Sequence, residues 1–327
     1  MNKLLIIAGM LVISISFFSC SKENMPENIP MKQVLQRSDD YYANLRAYKK
    51  TDHQVFFGWF GATGGEGNPN VPGVMDQIPD SVDIVSLWGG APPVGSYNHN
   101  VMKKTQELKG TRFVLVRGAD HVSTALLKKY PTLPILVALD SIARDLDAEV
   151  KVFGADGFDI DYEPHFGQGG IFTTGKDGIT GANLTTALYK SLSKYLGPLS
   201  GTGKLLIIDG ESTPELAPYI DYLVQQAYAA TSPTNLQNRF VQYGFGTLPI
   251  RKFIVAENFE SYWEKGGVNF TDPVRGVIPS LLGMAYWQPT QGRKGGTGVY
   301  LAQYEYPLNP DFKFTRQAIQ IMNPAVR

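Results

Sequence analysis

The chain predicts a single-domain parallel α/β fold, a (β/α)8 barrel of the TIM type, and three observations carry that expectation. Its 327 residues are 43% hydrophobic, enough for one large core, and a barrel domain of ~250 residues fits that length. From about residue 50 onward, short apolar runs alternate with segments of 3.6-residue periodicity, the pattern of parallel strands joined by helices. Long Gly-rich stretches follow the strand-like runs at residues 61–73, 89–95, 167–178 and 292–298. In a barrel these are loops at the carboxyl ends of the strands, and they read as walls of a substrate cleft. No internal repeat and no second domain are visible.

The first element is a targeting segment, left out of fold reasoning. Met1-Asn2-Lys3 is a short positive region, and Leu4 to Phe18 is an apolar stretch too short to span a bilayer comfortably. It ends at Ser19-Cys20-Ser21, and Cys20 is the only cysteine, so no internal disulfide forms. This placement resembles the lipidated cysteine of a bacterial lipoprotein, although Phe17 stands where Leu is usual; the alternative is an ordinary signal peptide cut nearby. Ser21-Lys22-Glu23-Asn24 has no aspartate after the cysteine, which by the same resemblance implies the outer membrane, at the cell surface or facing the periplasm. Residues 21–50 form a tether, rich in Pro and Asn at first, and then a helix leading into the barrel through Tyr41, Leu45 and Tyr48. The catalytic domain is expected over residues 51–327.

Eight strands are predicted, at residues 55–60, 83–88, 112–116, 157–162, 205–209, 222–228, 253–257 and 283–287. Between them, Leu139, Ile142, Leu146 and Val150 form one helical stripe, with Arg144, Asp145 and Asp147 off it. Leu184, Leu188, Leu192 and Tyr195 form another, stopped by Gly197-Pro198. Residues 102–108 and 312–322 are further candidate helices.

The fourth strand carries the chemistry. Successive strand side chains point to opposite faces, so Asp159, Asp161 and Glu163 share one face while Phe158, Ile160 and Tyr162 share the other. Three aligned carboxylates repel one another and cost several kcal/mol if buried unpaired, so no stability argument favours them. A carboxyl crowded by others holds its proton toward neutral pH, as a general acid must. Asp156, Asp159, Asp161 and Glu163 together resemble the DxxDxDxE signature of family 18 glycoside hydrolases. The resemblance implies that the motif ends strand four of a barrel, that Glu163 protonates the glycosidic oxygen, that Asp161 orients the substrate's 2-acetamido group, that Asp159 belongs to the catalytic set, and that Asp156 binds substrate. It also implies that the acetamido oxygen is the nucleophile, an exception to the usual two-carboxylate scheme.

Two further places resemble the family. Gln226-x-Tyr228 on the sixth strand is similar to the Gln-x-Tyr of its endo-β-N-acetylglucosaminidase branch, where chitinases usually carry Met-x-Tyr-Asp. The match implies that Tyr228 donates to the acetamido oxygen and that Gln226 steadies the cyclised intermediate; the alternative is that Gln226 satisfies polar groups inside the barrel and Tyr228 is packing. Trp287, taken to end strand eight, matches the Trp that floors the cleaved subsite, where an indole buries a sugar's CH face. Residues 80–88 are similar to the second-strand region of Bacteroides-type family 18 lipoproteins. The other tryptophans, Trp59, Trp88 and Trp263, also fall near strand ends or loops. Asp209, Glu211 and Glu257 end strands as well and read as ion pairs or loop caps.

Thirty basic and thirty acidic residues balance to a formal charge of zero, giving no electrostatic footprint for nucleic acid. His53, His99, His121 and His165 lack metal-ligand spacing, His165 reads as a surface histidine, and no metal or cofactor is expected. No Ser-His-Asp or Cys-His set emerges. The reading is a lipid-anchored, monomeric endo-β-N-acetylglucosaminidase acting with retention on N-acetylglucosamine-containing glycans or glycoproteins. Two alternatives remain: a chitinase, disfavoured by the missing Tyr-Asp, and a surface glycan-binding protein on a dead barrel, disfavoured by the presence of both Asp161 and Glu163.

Overall fold

A computed structural model describes residues 37–61, 74–244 and 247–324. Cys20, the tether and most of the first Gly-rich stretch lie outside the described residues. After a helix α1 (Asp39–Tyr48), the chain runs β1 (Val55–Phe60), β2 (Ile84–Leu87), α2 (Tyr97–Lys109), β3 (Arg112–Gly118), α3 (Ala119–Lys129), α4 (Ile135–Phe153) and β4 (Gly157–Tyr162). It continues through α5 (Ile171–Thr174), α6 (Gly181–Leu192), β5 (Leu205–Gly210), β6 (Tyr222–Gln226), α7 (Pro233–Tyr243), β7 (Phe253–Asn258) and α8 (Phe259–Tyr262). A hairpin of β8 (Asn269–Asp272) and β9 (Gly276–Pro279) precedes α9 (Ser280–Tyr286), β10 (Gly296–Tyr300) and α10 (Lys313–Met322).

Eight strands close into a parallel barrel in the order β1-β10-β7-β6-β5-β4-β3-β2, confirming the expected (β/α)8 architecture. Seven of its strands are those the sequence predicts. The eighth is not: residues 283–287 belong to α9 and its end, and the last strand is Gly296–Tyr300, inside a stretch read as a loop. A five-residue apolar run does not distinguish strand from buried helix, and a Gly-rich run argues against a strand unless another backbone comes close.

Here one does. A Cβ at Gly296 would stand 2.0 Å from the Val55 carbonyl oxygen, its partner residue in β1. Gly296→Ala should therefore lower stability by at least ~1–3 kcal/mol, the usual cost of overpacking. Chemical denaturation reads this directly, and an unchanged midpoint would contradict the β1–β10 register.

Alternation sorts the side chains into two cores. Outside the barrel, Phe158, Ile160 and Tyr162 join the apolar layer beneath the helices, where α4 contributes Leu139, Ile142, Leu146 and Val150. Inside, Val55, Phe57, Ile84, Val114, Leu205, Ile207, Val224, Ile254 and Ala256 form an apolar plug. Trp59, Ser86, Asp159, Asp209 and Gln226 follow these residues by alternation toward the carboxyl ends of their strands. The plug fills the barrel beneath the acids.

Candidate active site

Strand β4 delivers two of its carboxyls into the barrel: Asp159 is fully buried and Asp161 is 6% exposed. Glu163 follows the strand and is half-buried, with Pro164 opening a short 3-10 turn immediately after it. Gly210, at the end of β5, makes room for it. Its φ of 84° suits glycine, and a Cβ there would lie 2.6 Å from the Tyr162 carbonyl and 3.3 Å from Glu163 Cγ. Asp156 does not join the group. Its carboxylate sits before β4, at the opposite end of the barrel, where Oδ2 accepts from Gln106 Nε2 at 2.6 Å and from the Phe113 amide at 2.9 Å. It closes the strand's start, and the expectation that it binds substrate is corrected.

Asp159 Oδ2 accepts from Ser86 Oγ at 2.8 Å and Trp59 Nε1 at 3.1 Å. The sequence alone assigns neither Ser86 nor Trp59 a role, although both occupy inward positions near strand ends. The sequence reads Asp209 as an ion pair or loop cap, and the structure corrects this: it is 1% exposed and opposite Asp161 in the β4–β5 register. Its Oδ1 accepts from Gln226 Nε2 at 2.9 Å, while the same nitrogen reaches Asp161 Oδ1 at 3.4 Å. None of the four acids, Asp159, Asp161, Glu163 or Asp209, forms an ion pair among the described residues.

The electrostatic consequence is a set of acids reluctant to ionise. Burial, then the nearby charges of Glu163 and Asp159, hold Asp161 above the usual carboxylate range. Burial does the same to Glu163, partly offset by the Gln226 amide, with Glu211 adding to the rise. A proton on Glu163 is thereby retained at higher pH than on a solvated Glu, which suits proton donation.

The sequence places Gln226 and Tyr228 together on one extended strand; β6 ends at Gln226 and the backbone turns. Ala229 has φ 55°, and its amide donates to Glu257 Oε1 at 2.9 Å. Glu257 also accepts from the Asn258 amide at 2.8 Å and from Ser280 Oγ, so its reading as a loop cap holds. The turn leaves the Tyr228 ring 6.1 Å from Tyr300, close enough to Asp209 and Asp161 to feel their charge. Burial first, then those charges, hold the phenol well above its usual range, so it stays protonated and able to donate.

Trp287 does not floor this site. It follows α9, is 6% exposed within the outer apolar layer, and its carbonyl accepts from Lys294 Nζ at 2.8 Å near the start of β10. The residue ending the true eighth strand is Tyr300. Its ring lies edge-on to Trp88 at 5.1 Å and to Trp59 at 6.2 Å, and at 30° to the Tyr228 ring. Trp263 packs against the outer layer instead. His165 is largely exposed, as read, and its Nδ1 pairs with Glu211 at 2.6 Å.

A barrel whose fourth strand ends in aligned acids, beside an amide, a phenol and an aromatic wall, defines a glycoside hydrolase. The sequence model of glycoside hydrolase family 18, BT1044-like, matches residues 19–126 and 135–321, and the chain belongs to that family. Endo-beta-N-acetylglucosaminidase F2 of Elizabethkingia meningoseptica is 28% identical over 348 residues, an alignment that covers 96% of each chain. The solved structure of a BT1044 variant superposes with a TM-score of 0.74 at 28% identity, covering 88% of this chain and 93% of its own. A Cordyceps militaris endo-beta-N-acetylglucosaminidase, solved as a double mutant with fucosyl-N-acetylglucosamine-Asn, superposes with a TM-score of 0.67 at 23% identity, covering 88% of this chain and 97% of its own. The latter likeness shows the fold alone.

Proposed function

We propose that the protein is a retaining endo-β-N-acetylglucosaminidase that hydrolyses the GlcNAc-β1,4-GlcNAc core of N-glycans by substrate-assisted catalysis. The observation that carries this reading is the Gln226–Tyr228 pair set against Asp161 and Glu163, with the Gln226 amide reaching Asp161 and the phenol kept protonated. The 28% identity to an endo-beta-N-acetylglucosaminidase across nearly the whole chain supports it.

In this mechanism Glu163 gives its proton to the glycosidic oxygen as the bond to C1 breaks. The substrate's acetamido oxygen attacks C1 and closes an oxazolinium ring. Asp161 accepts the acetamido N–H and stabilises the positive charge that grows there. Tyr228 donates to the acetamido oxygen, and Gln226 fixes Asp161 from behind. Glu163, now a carboxylate, takes a proton from water as that water opens the ring at C1 from the face the leaving group vacated. Two inversions at C1 retain its configuration. Tyr300, with Trp88 beside it, offers the aromatic wall for the sugar that Trp287 does not supply.

Parallel digestion of an N-glycoprotein and of chitin oligomers, followed by mass spectrometry, tests the substrate. The expected products are a free glycan ending in one GlcNAc and a protein keeping one GlcNAc on Asn. Cleavage of chitin oligomers alone would make the protein a chitinase. Binding without cleavage of either would leave the dead-barrel reading.

The location of the enzyme is a separate proposal: an outer-membrane lipoprotein anchored through Cys20. No helix among the described residues is long and apolar enough to cross a membrane. Acyl chains contribute about 0.8 kcal/mol per buried CH₂, so two or three anchor stably where one does not. Cys20→Ala should release or mis-sort the protein while leaving activity in detergent extract unchanged. Recovery of unmodified Cys20 in mature, soluble wild-type protein would end this proposal.

A further inference from the structure

Asp159 and Asp209 each leave one fully buried carboxyl oxygen without a donor, Oδ1 of Asp159 and Oδ2 of Asp209. The remaining oxygen of each is committed: Asp159 Oδ2 to Ser86 and Trp59, and Asp209 Oδ1 to Gln226. Asp209 lies within hydrogen-bonding reach of both Asp159 and Asp161, and of these two only Asp159 has a fully buried oxygen without a donor. Two ionised carboxylates have no donor to offer, and a buried oxygen without a donor carries its full desolvation penalty. One proton between the orphan oxygens satisfies both.

We infer that Asp209 is a positioning residue of the active site, a carboxylic acid that keeps its proton at neutral pH and donates it to Asp159. The inference deepens the proposed function and rests on it only for its consequence in catalysis. With Asp209 neutral, the Asp159–Asp209 pair carries one negative charge instead of two, which lowers the cost of ionising Asp161 beside it. Gln226, anchored on Asp209, then holds Asp161 in place. Among the groups facing Asp209, the acids Asp161 and Asp159 on β4 favour this state, the neutral phenols of Tyr189 on α6 and Tyr228 beyond β6 add no charge, and the Gln226 amide opposes it. Burial acts in the same direction.

Aspartate labelled with 13C at the side-chain carboxyl gives a test in the free enzyme, with no glycan present. At pH 7 the wild type should show a protonated aspartate resonance that is missing from Asp209→Asn. Full ionisation of every aspartate at pH 7, or persistence of that resonance in the variant, would overturn the assignment. Thermal stability supplies a second readout. The native state holds the Asp209 proton while the unfolded chain loses it above about 3.8, so this group's contribution to stability falls as pH rises from there. Asp209→Asn should flatten the fall of Tm with pH across the range above 3.8, and an unchanged slope would count against the proposal.

Kinetics separate positioning from simple structural support. Asp209→Ala leaves Asp159 Oδ1 without a donor and removes the shorter of the two hydrogen bonds that hold Gln226, and should lower kcat by ~10²-fold with KM little changed, the cost of misplacing a catalytic group. Asn restores a donor and an acceptor, so Asp209→Asn should recover ~10-fold or more of that loss. An Asn variant as impaired as Ala would contradict the role of a neutral, hydrogen-bond-donating group at this position. Absence of all endoglycosidase activity in the wild type would defeat the functional reading yet leave the resonance and stability results interpretable.

Discussion

Glu163→Gln should nearly abolish hydrolysis while glycan binding survives. The substitution keeps size and hydrogen-bonding reach but removes the transferable proton, worth ~10²–10⁴ in rate for general acid catalysis. The geometry makes the loss hard to compensate: Glu163 alone of the acids extends past the end of β4 over Gly210, and the others are buried within the barrel. The pH profile follows from the same residue. A general acid works protonated, and burial lifts Glu163 above the ordinary value of 4.5. The alkaline fall of kcat/KM attributable to it therefore lies above 4.5, and Glu163→Gln should remove that limb from whatever activity remains. Turnover near wild type in this variant, measured on its best substrate, would show that another group donates the proton.

Asp161→Asn should slow cleavage by ~10²–10³, the usual cost of removing one electrostatic partner of a transition state. The expected defect is confined to forming the oxazolinium. A preformed sugar oxazoline supplied as donor should still be consumed, because ring closure has already occurred and Glu163 remains to activate the acceptor. Normal glycan hydrolysis by the variant, or failure to use the oxazoline at all, would contradict substrate assistance. The two substitutions differ in this respect: Glu163→Gln impairs both stages and Asp161→Asn only the first.

Much of this site is legible in the sequence because its core is local. Alternation along one strand places Asp159 and Asp161 in the barrel and Phe158, Ile160 and Tyr162 outside it, with no knowledge of neighbouring strands. Asp209 escapes that logic. Its partners come from β4 and β6, and only the β4–β5 register reveals that it faces Asp161. Trp59 and Ser86 were obscured in the same way, since their link to Asp159 crosses β1, β2 and β4.

The eighth strand lies at Gly296–Tyr300, beyond the apolar run that resembles one. The Gly-rich stretch before Tyr300 looked like a loop, because the close approach of Val55 that requires glycine there is visible only in three dimensions. The short apolar run ending in Trp287 then took the strand's place and supplied a plausible but misplaced tryptophan. Asp156 failed for another reason. It belongs to the motif in sequence, yet it precedes β4, so the length of the strand separates it from the acids at the far end.

Real-time NMR of a defined N-glycan attached to an asparagine peptide tests the central claim most directly, because the first anomeric signal appears before mutarotation. The account predicts a glycan whose new reducing end forms first as the β-anomer, with one GlcNAc left on Asn. A first-formed α-anomer, or release of the intact glycan from Asn, would contradict it.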